Sequence, residues 1–338
     1  MSGSLGLGKM ETQISIVSRA PKRYNRNWWV WDNSWQAPLT WGPQGQQIMG
    51  PRTSWETEEG VTTKYSKMLV KEGDKTYHSP FFDKFKEVAA QLGFDPMLAT
   101  KIFAITNDKM LSNFGNYRDM LASKHLTSPQ LFKKDWRREV PPLENTEQRG
   151  SFSDWHSTYR SKFTWNQKSP LPQFEKPAVI PMIQGTNEAA VWKICLQGFG
   201  VVGTTDGSDE PGFYGNGVYF TSKLGYADKY AKSGTDGTKP FLVSMVIPGN
   251  TFPVVEHPFV DPPVYEKDKK GNLVRKANSD GYKGKACLAG YQSHFTLVDG
   301  RDKSTAYPIT GAINSDTADE MVTFEGAQAL PIFVFYAK

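Results

Sequence analysis

Four short stretches of this chain carry residue types able to clamp, orient and polarise a small substrate: Pro181–Thr186, Gly215–Ser222, Tyr226–Tyr230 and Asp319–Glu325. Gly185 has no side chain, so its backbone N–H and C=O can come close to a bound group. Thr186 adds a small hydroxyl beside it. Tyr219 and Tyr230 stand eleven positions apart, and a phenol face against a cationic ring contributes roughly 0.5–2 kcal/mol. In an extended segment Glu320, Val322 and Phe324 share one face and Met321, Thr323 and Glu325 the other. A carboxylate on such a face can stabilise positive charge as it develops. Taken singly, each stretch has a plainer explanation. A Gly-Thr pair is turn material, paired tyrosines near a strand end are ordinary core residues, and Glu320 could be a solvated strand-edge acid. Their order and separations, with about 35 positions from Gln184 to Tyr219, make a joint signal that none makes alone.

In that order the stretches resemble the catalytic core of the poly(ADP-ribose) polymerase-like (diphtheria-toxin-like) ADP-ribosyltransferases. The likeness covers residues 179–338, and a looser one reaches back over Phe81–Trp136, where Ile105–Asn107 and Leu111–Phe114 resemble the helices leading into such domains. It implies an α+β chain with the ADP-ribosyltransferase fold, a split antiparallel β-sheet core. It also implies NAD as co-substrate, no metal, and a protein as the acceptor. By the same resemblance Tyr219 and Tyr230 sandwich the nicotinamide, Gly185 makes a paired backbone contact with the carboxamide, and Thr186 reaches a ribose hydroxyl. Glu320 binds the 2′-hydroxyl of the nicotinamide ribose and stabilises the oxocarbenium-like transition state. The match continues through Ala327-Gln328, which selects Glu320 over Asp319 and Glu325 as the catalytic carboxylate.

Two positions depart from the family pattern. Gln184 stands where the best-known members have the histidine that bonds the adenosine ribose. A glutamine amide can donate a similar hydrogen bond without titrating near neutral pH. Ala227 stands where a serine usually bonds the carboxamide, which removes a hydrogen bond typically worth about 1 kcal/mol. These departures favour transfer of a single ADP-ribose over chain growth.

The elements that must hold these residues follow from periodicity. Phe82, Phe85, Val88, Ala89 and Leu92 form a helical stripe that Gly93 stops. Asp95-Pro96 reads as the cap and first turn of a second helix running through Leu98, Ile102 and Ile105. A third helix begins near Asn107 or Asp108 with Leu111, Phe114 and Leu121 inward, and Ser128-Pro129 starts a short fourth carrying Phe132 and Trp136. Residues 138–177 are polar and proline-containing and read as a long connection. Apolar runs at Val179–Ile183, Gly217–Thr221, Phe241–Ile247 and Ile332–Tyr336 read as strands, Glu320 opens another, and Glu188–Gln197 reads as a helix.

Gly198-Phe-Gly-Val-Val-Gly203 copies the glycine spacing of Rossmann dinucleotide sites, but that motif needs a strand before it and a helix after it. Here a helical segment precedes it and an acidic, glycine-rich loop follows. Gly198 is instead the stop of the preceding helix.

Composition excludes several classes. The chain has 338 residues, is 38% hydrophobic and 22% charged, and so can form a sizeable core. Two cysteines, Cys195 and Cys287, form no disulfide framework or thiolate metal site and suit a reducing, cytoplasmic or nuclear compartment. The five histidines are scattered, with no pair at helical metal-ligand spacing. No apolar run is long enough to span a membrane and no secretory signal opens the chain. The net charge of +5 is dispersed, which gives nucleic-acid binding only weak support.

The expected organisation is a Trp-rich region over 1–80, a helical segment over 81–137, a connection over 138–178 and a catalytic domain over 179–338. Tryptophans at 28, 29, 31, 35 and 41 suggest either an aromatic layer packed on the main domain or, beside Arg19–Arg26, a stacking platform. The primary expectation is an NAD-dependent mono-ADP-ribosyltransferase acting on a protein. One alternative is a catalytically weak NAD-binding module, against which the presence of Glu320 argues. The other is a transferase directed at nucleic acid, suggested by the basic, Trp-rich start.

Overall fold

In the computed structural model the described residues are 56–60, 64–133, 167–168, 175–177, 179–200, 212–254, 264–267, 271, 273–275, 281–301 and 316–338. The tryptophans from Trp28 to Trp55, Trp136, and most of the 138–177 connection lie outside them. The helices are α1 (Ser79–Leu92), α2 (Asp108–Thr127), α3 (Glu188–Gln197) and the single turn α4 (Leu224–Ala227). The strands of the first half are β1 (Glu56–Glu59), β2 (Lys64–Glu72), β3 (Lys75–Thr76), β4 (Ala99–Thr106), β5 (Gln167–Lys168), β6 (Glu175–Lys176) and β7 (Ile180–Gly185). Those of the second half are β8 (Val218–Phe220), β9 (Lys239–Val246), β10 (Thr251–Pro253), β11 (Tyr265–Lys267), β12 (Leu273–Arg275), β13 (Ser293–Asp299), β14 (Thr317–Thr323) and β15 (Ala329–Ala337).

The architecture is α+β, with two main sheets. The first has the order β1-β2-β4-β15-β9-β7, with β3 added to β2, and its pairings are antiparallel. It draws strands from the segments read above as N-terminal region, helical segment and C-terminal domain. The second has the order β10-β13-β14-β8, antiparallel except for β10 against β13. The sheets meet where Ile183, on the edge strand β7, bridges Thr221 just past β8. Ile183 N–H bonds Thr221 O at 2.8 Å and Thr221 N–H bonds Ile183 O at 2.9 Å.

Strand β15 is the centre of the first sheet and is buried along its whole length, as a strand covered on both faces must be. Leu330, Ile332, Phe333 and Phe335 face one core with α1 and α2. Val334 and Tyr336 face the other, with α3 and the second sheet. A bulge between Pro331 and Phe333 puts neighbours Ile332 and Phe333 on the same side. Phe335 stacks on Phe241 at 5.0 Å and on Phe94 at 5.5 Å, with Phe85 edge-on at 5.4 Å.

Helix α1 stops at Gly93, whose φ of 69° is the left-handed conformation glycine adopts without a Cβ penalty. Its buried stripe begins at Phe81, with Phe82 only partly covered. The second expected helix is corrected: Pro96–Leu98 is one 3-10 turn, and Ala99–Thr106 is strand β4. Leu98, Ile102 and Ile105 mimic a helical period. In the sheet, however, Ile102 and Ala104 enter the first core and Phe103 and Ile105 face the second, because β4 lies between β2 and β15. The strand carrying Glu320 is also corrected, since it opens at Thr317 and Glu320 is mid-strand.

Asn107 joins β4, α2 and α3. Its Oδ1 accepts from Met110 N–H at 3.1 Å, capping α2, and its Nδ2 donates to Cys195 O at 2.9 Å near the end of α3. Asn107→Ala removes the cap and leaves a buried carbonyl unsatisfied, so unfolding in urea should show a loss of about 1–3 kcal/mol. Stability within 0.3 kcal/mol of the parent would contradict that role.

Candidate active site

Where the two sheets part beyond the Ile183–Thr221 bridge, the edge of β7 is left open. Ile183 turns its N–H and C=O outward, away from β9. Alternation along a strand gives Gly185, two residues on, the same outward orientation, and β8 lies at that level only through Tyr219. The Gly185 backbone pair therefore faces the cleft. A Cβ there would sit 2.0 Å from Ala227 O, a clash with backbone that no side chain could relieve. Only glycine allows α4 to pack this closely on β7. The contact is locked further along by Lys232 N–H donating to Thr186 O at 3.0 Å.

Helix α4 and the turn after it carry two phenols into the cleft. Tyr226 is buried, and its hydroxyl donates to Glu320 Oε1 at 2.6 Å. The Tyr226 and Tyr230 hydroxyls are 2.9 Å apart, and their rings meet edge-on at 5.4 Å. Tyr230 itself is 43% exposed, an aromatic surface left for something else. Tyr219, on β8, pairs with Val322 of β14. Its hydroxyl accepts from Tyr214 N–H at 2.8 Å and donates to Gly215 O at 2.9 Å, so this ring is anchored by the preceding turn.

Glu320 lies on β14 opposite Thr296 of β13 and is buried. Burial pushes its carboxyl up to about 7; the Tyr226 hydrogen bond works against the rise, and the neighbouring Asp319 charge adds to it. The same burial, with the Glu320 charge second, raises the Tyr219 and Tyr230 phenols. The three groups therefore share one electrostatic environment.

The other acids of this stretch have structural partners. Asp319 accepts from Ser222 Oγ at 2.7 Å, Ser222 N–H at 3.0 Å and Thr221 Oγ1 at 3.2 Å, which clamps the end of β8 to β14. Glu325 is the cap of a 3-10 turn in a reciprocal box with Gln328. Gln328 is fully buried and its Nε2 donates to Ile247 O at 3.0 Å and Gln292 O at 3.1 Å. The Ala327-Gln328 pair thus ties the two sheets behind the cleft. His294, also buried, is bound by Leu288 N–H and Tyr214 O and supports the Tyr214 turn.

The structure thus brings Gly185, Tyr219, Tyr230 and Glu320 around one cleft. Thr186 follows at the end of β7, and Gln184 precedes Gly185 with a buried Oε1 that has no hydrogen-bond partner among the described residues. An incoming hydroxyl would satisfy that oxygen. Sequence reasoning missed Tyr226; its separation of four from Tyr230, on one helical turn, was the available signal. A separate groove of about 660 Å³ is lined by Lys67, Lys101, Glu188, Trp192 and Tyr336 and shares none of these residues. Two of its lysines are paired, Lys67 with Glu58 and Lys101 with Glu72.

Among the described residues no group of three or more His, Cys, Asp and Glu side chains could hold a metal, and no helix is long and apolar enough to cross a membrane. Comparison with protein-family models and with curated protein sequences gives no match.

The raised Glu320 carboxyl predicts a pH signature. The folded chain holds a proton that the unfolded chain releases near 4.5, so stability falls as pH rises from about 4.5 to 7 and is level above. The expected drop is on the order of 3 kcal/mol. Glu320→Gln removes this component, so parent and variant unfolding energies should converge at pH 4 and diverge by pH 8. Parallel profiles would contradict the buried, raised carboxyl.

Proposed function

We propose that this protein is an NAD-dependent ADP-ribosyltransferase that moves one ADP-ribose to a protein acceptor and releases nicotinamide. The observation that carries this reading is the burial of Glu320 inside the cleft, hydrogen-bonded to the phenol helix that packs on Gly185. The outward backbone pair of Gly185 matches the donor and acceptor of a carboxamide. Tyr230 offers an exposed face to the ring, and Tyr219 stands on β8. The orphaned Gln184 oxygen suits the hydroxyl of the adenosine ribose, so the residues fit the dinucleotide as substrate.

In the reaction the bond from ribose C1′ to the nicotinamide nitrogen breaks, and its electron pair leaves with the neutral ring. Glu320, ionised, opposes the positive charge left on the sugar. A cationic substrate ring favours that ionised form and so offsets the effect of burial. Tyr226 fixes one carboxylate oxygen, which leaves Oε2 to orient the 2′-hydroxyl. An acceptor oxygen then forms the new bond to C1′. Transfer of a single unit is favoured by Gln184, whose amide stands in for the histidine of the polymer-forming pattern, and by Ala227, which withholds one polar contact of that pattern.

Glu320→Ala should fold and keep NAD affinity within about tenfold while transfer falls by 100-fold or more; unchanged transfer from labelled NAD would refute the assignment. Tyr230→Ala should weaken NAD binding by about three- to thirtyfold, read by calorimetric titration. Parent-like affinity would remove Tyr230 from the ring site.

A further inference from the structure

The strands β11 and β12 take no part in either main sheet. Among the described residues they pair only with each other, and a hairpin of two strands alone is marginal in water. All three residues of β11 are exposed. Tyr265 is 62% exposed and Leu273 71%, so two large apolar side chains stand in solvent. The register pairs Tyr265 with Arg275 and Lys267 with Leu273. Directly opposed residues, and residues two apart on one strand, share a face of an antiparallel pair. Tyr265, Lys267, Leu273 and Arg275 therefore belong to one face of the ribbon.

This segment is basic out of proportion to the chain. Residues 264–276 hold five cations against two acids, whereas all 338 residues together carry +5. The connection between the strands, Asp268-Lys-Lys-Gly-Asn272, has no apolar residue. A lipid surface would need apolar side chains leading into the acyl boundary, and the part of the hairpin that would lead is polar. The bases of a duplex are already stacked on one another, so only unpaired bases can offer a face to the phenol.

We propose that the β11–β12 hairpin is a docking element for single-stranded nucleic acid. Tyr265 stacks on an unpaired base beside Leu273, and Lys267 with the neighbouring cations follows the phosphates. The chain from Arg275 to Gly281 spans at most about 22 Å, which ties the hairpin to the border of the cleft. Gly284 N–H bonds Gly212 O at 3.0 Å and Asn216 N–H bonds Lys285 O at 2.7 Å, so this part of the chain lies against the turn that anchors Tyr219. Lys283 and Lys285 are exposed there and continue the basic track. A strand docked on the hairpin would bring to the cleft the proteins bound along it.

The test is the fluorescence anisotropy of a labelled oligothymidylate, about 15 nucleotides long, titrated with the full chain over a range of salt concentrations. The parent should bind, with affinity falling steeply as salt rises. Tyr265→Ala should weaken binding by about 5- to 150-fold, the loss of one stacked base, and Tyr265→Trp should restore it. Lys267→Gln should reduce the slope of log K against log salt by about 0.7. Both residues are exposed, so the variants should unfold with the stability of the parent. A parent that leaves the oligonucleotide free at low salt overturns the proposal. So does a Tyr265→Ala protein that binds like the parent, which would assign the binding to another segment. A duplex of the same length that binds as tightly, or phosphatidylserine vesicles that displace the strand at equal phosphate concentration, also overturns it. Oligonucleotide binding needs no turnover, so these outcomes are separate from failure of the transferase reading, which would appear as no nicotinamide released from NAD by the parent protein.

Discussion

Two hydrogen bonds between Ile183 and Thr221 hold together the edges of two sheets that otherwise diverge. A full ladder there would have paired the outer edge of β7 and closed the cleft. Without the bridge, only side-chain packing and the Gln328 bonds would set the second sheet and Glu320 relative to Gly185. One bridge gives both a fixed distance and an open edge. The Asp319 bonds to Ser222 and Thr221 hold the same corner from the β14 side, and Gln328 holds the sheets together behind it. The cleft is thus stabilised by buried backbone and side-chain hydrogen bonds, whose loss is costly because water cannot replace them.

Within that frame the electrostatics are unbalanced. Among the described residues, Glu320 is buried against phenols with no cation bonded to it, and the buried Lys229 Nζ has no hydrogen-bond partner. Sites that act on charged groups keep such unpaired charges, because the missing partner arrives with the substrate. On the reading proposed here, the cationic ring supplies the partner of Glu320.

Much of the fold was legible where local and tertiary preferences agree. Gly93 and Asn107 mark the end of α1 and the start of α2 by backbone conformation and capping chemistry. The helix from Glu188 to Gln197 ends at Gly198, as the glycine pattern indicated. The strand β4 was misread because its apolar residues occur at helical spacings as well as alternating ones. The choice between them was made by β2 and β15, partners far away in sequence. In the same way, the strand of Glu320 starts at Thr317 because β13 pairs as far as that residue.

The chain by itself determined residue types and their order: a glycine where backbone must come near, a glutamate within an alternating run, and tyrosines at fixed separations. These are properties of covalent sequence and local conformation. Only the tertiary structure decided that Asp319 and Glu325 are taken up by structural hydrogen bonds while Glu320 is buried, and that Tyr226 is the phenol Glu320 bonds. Burial and partner choice arise from contacts between segments a hundred residues apart, where no local rule records which side chain will be left without its counterpart.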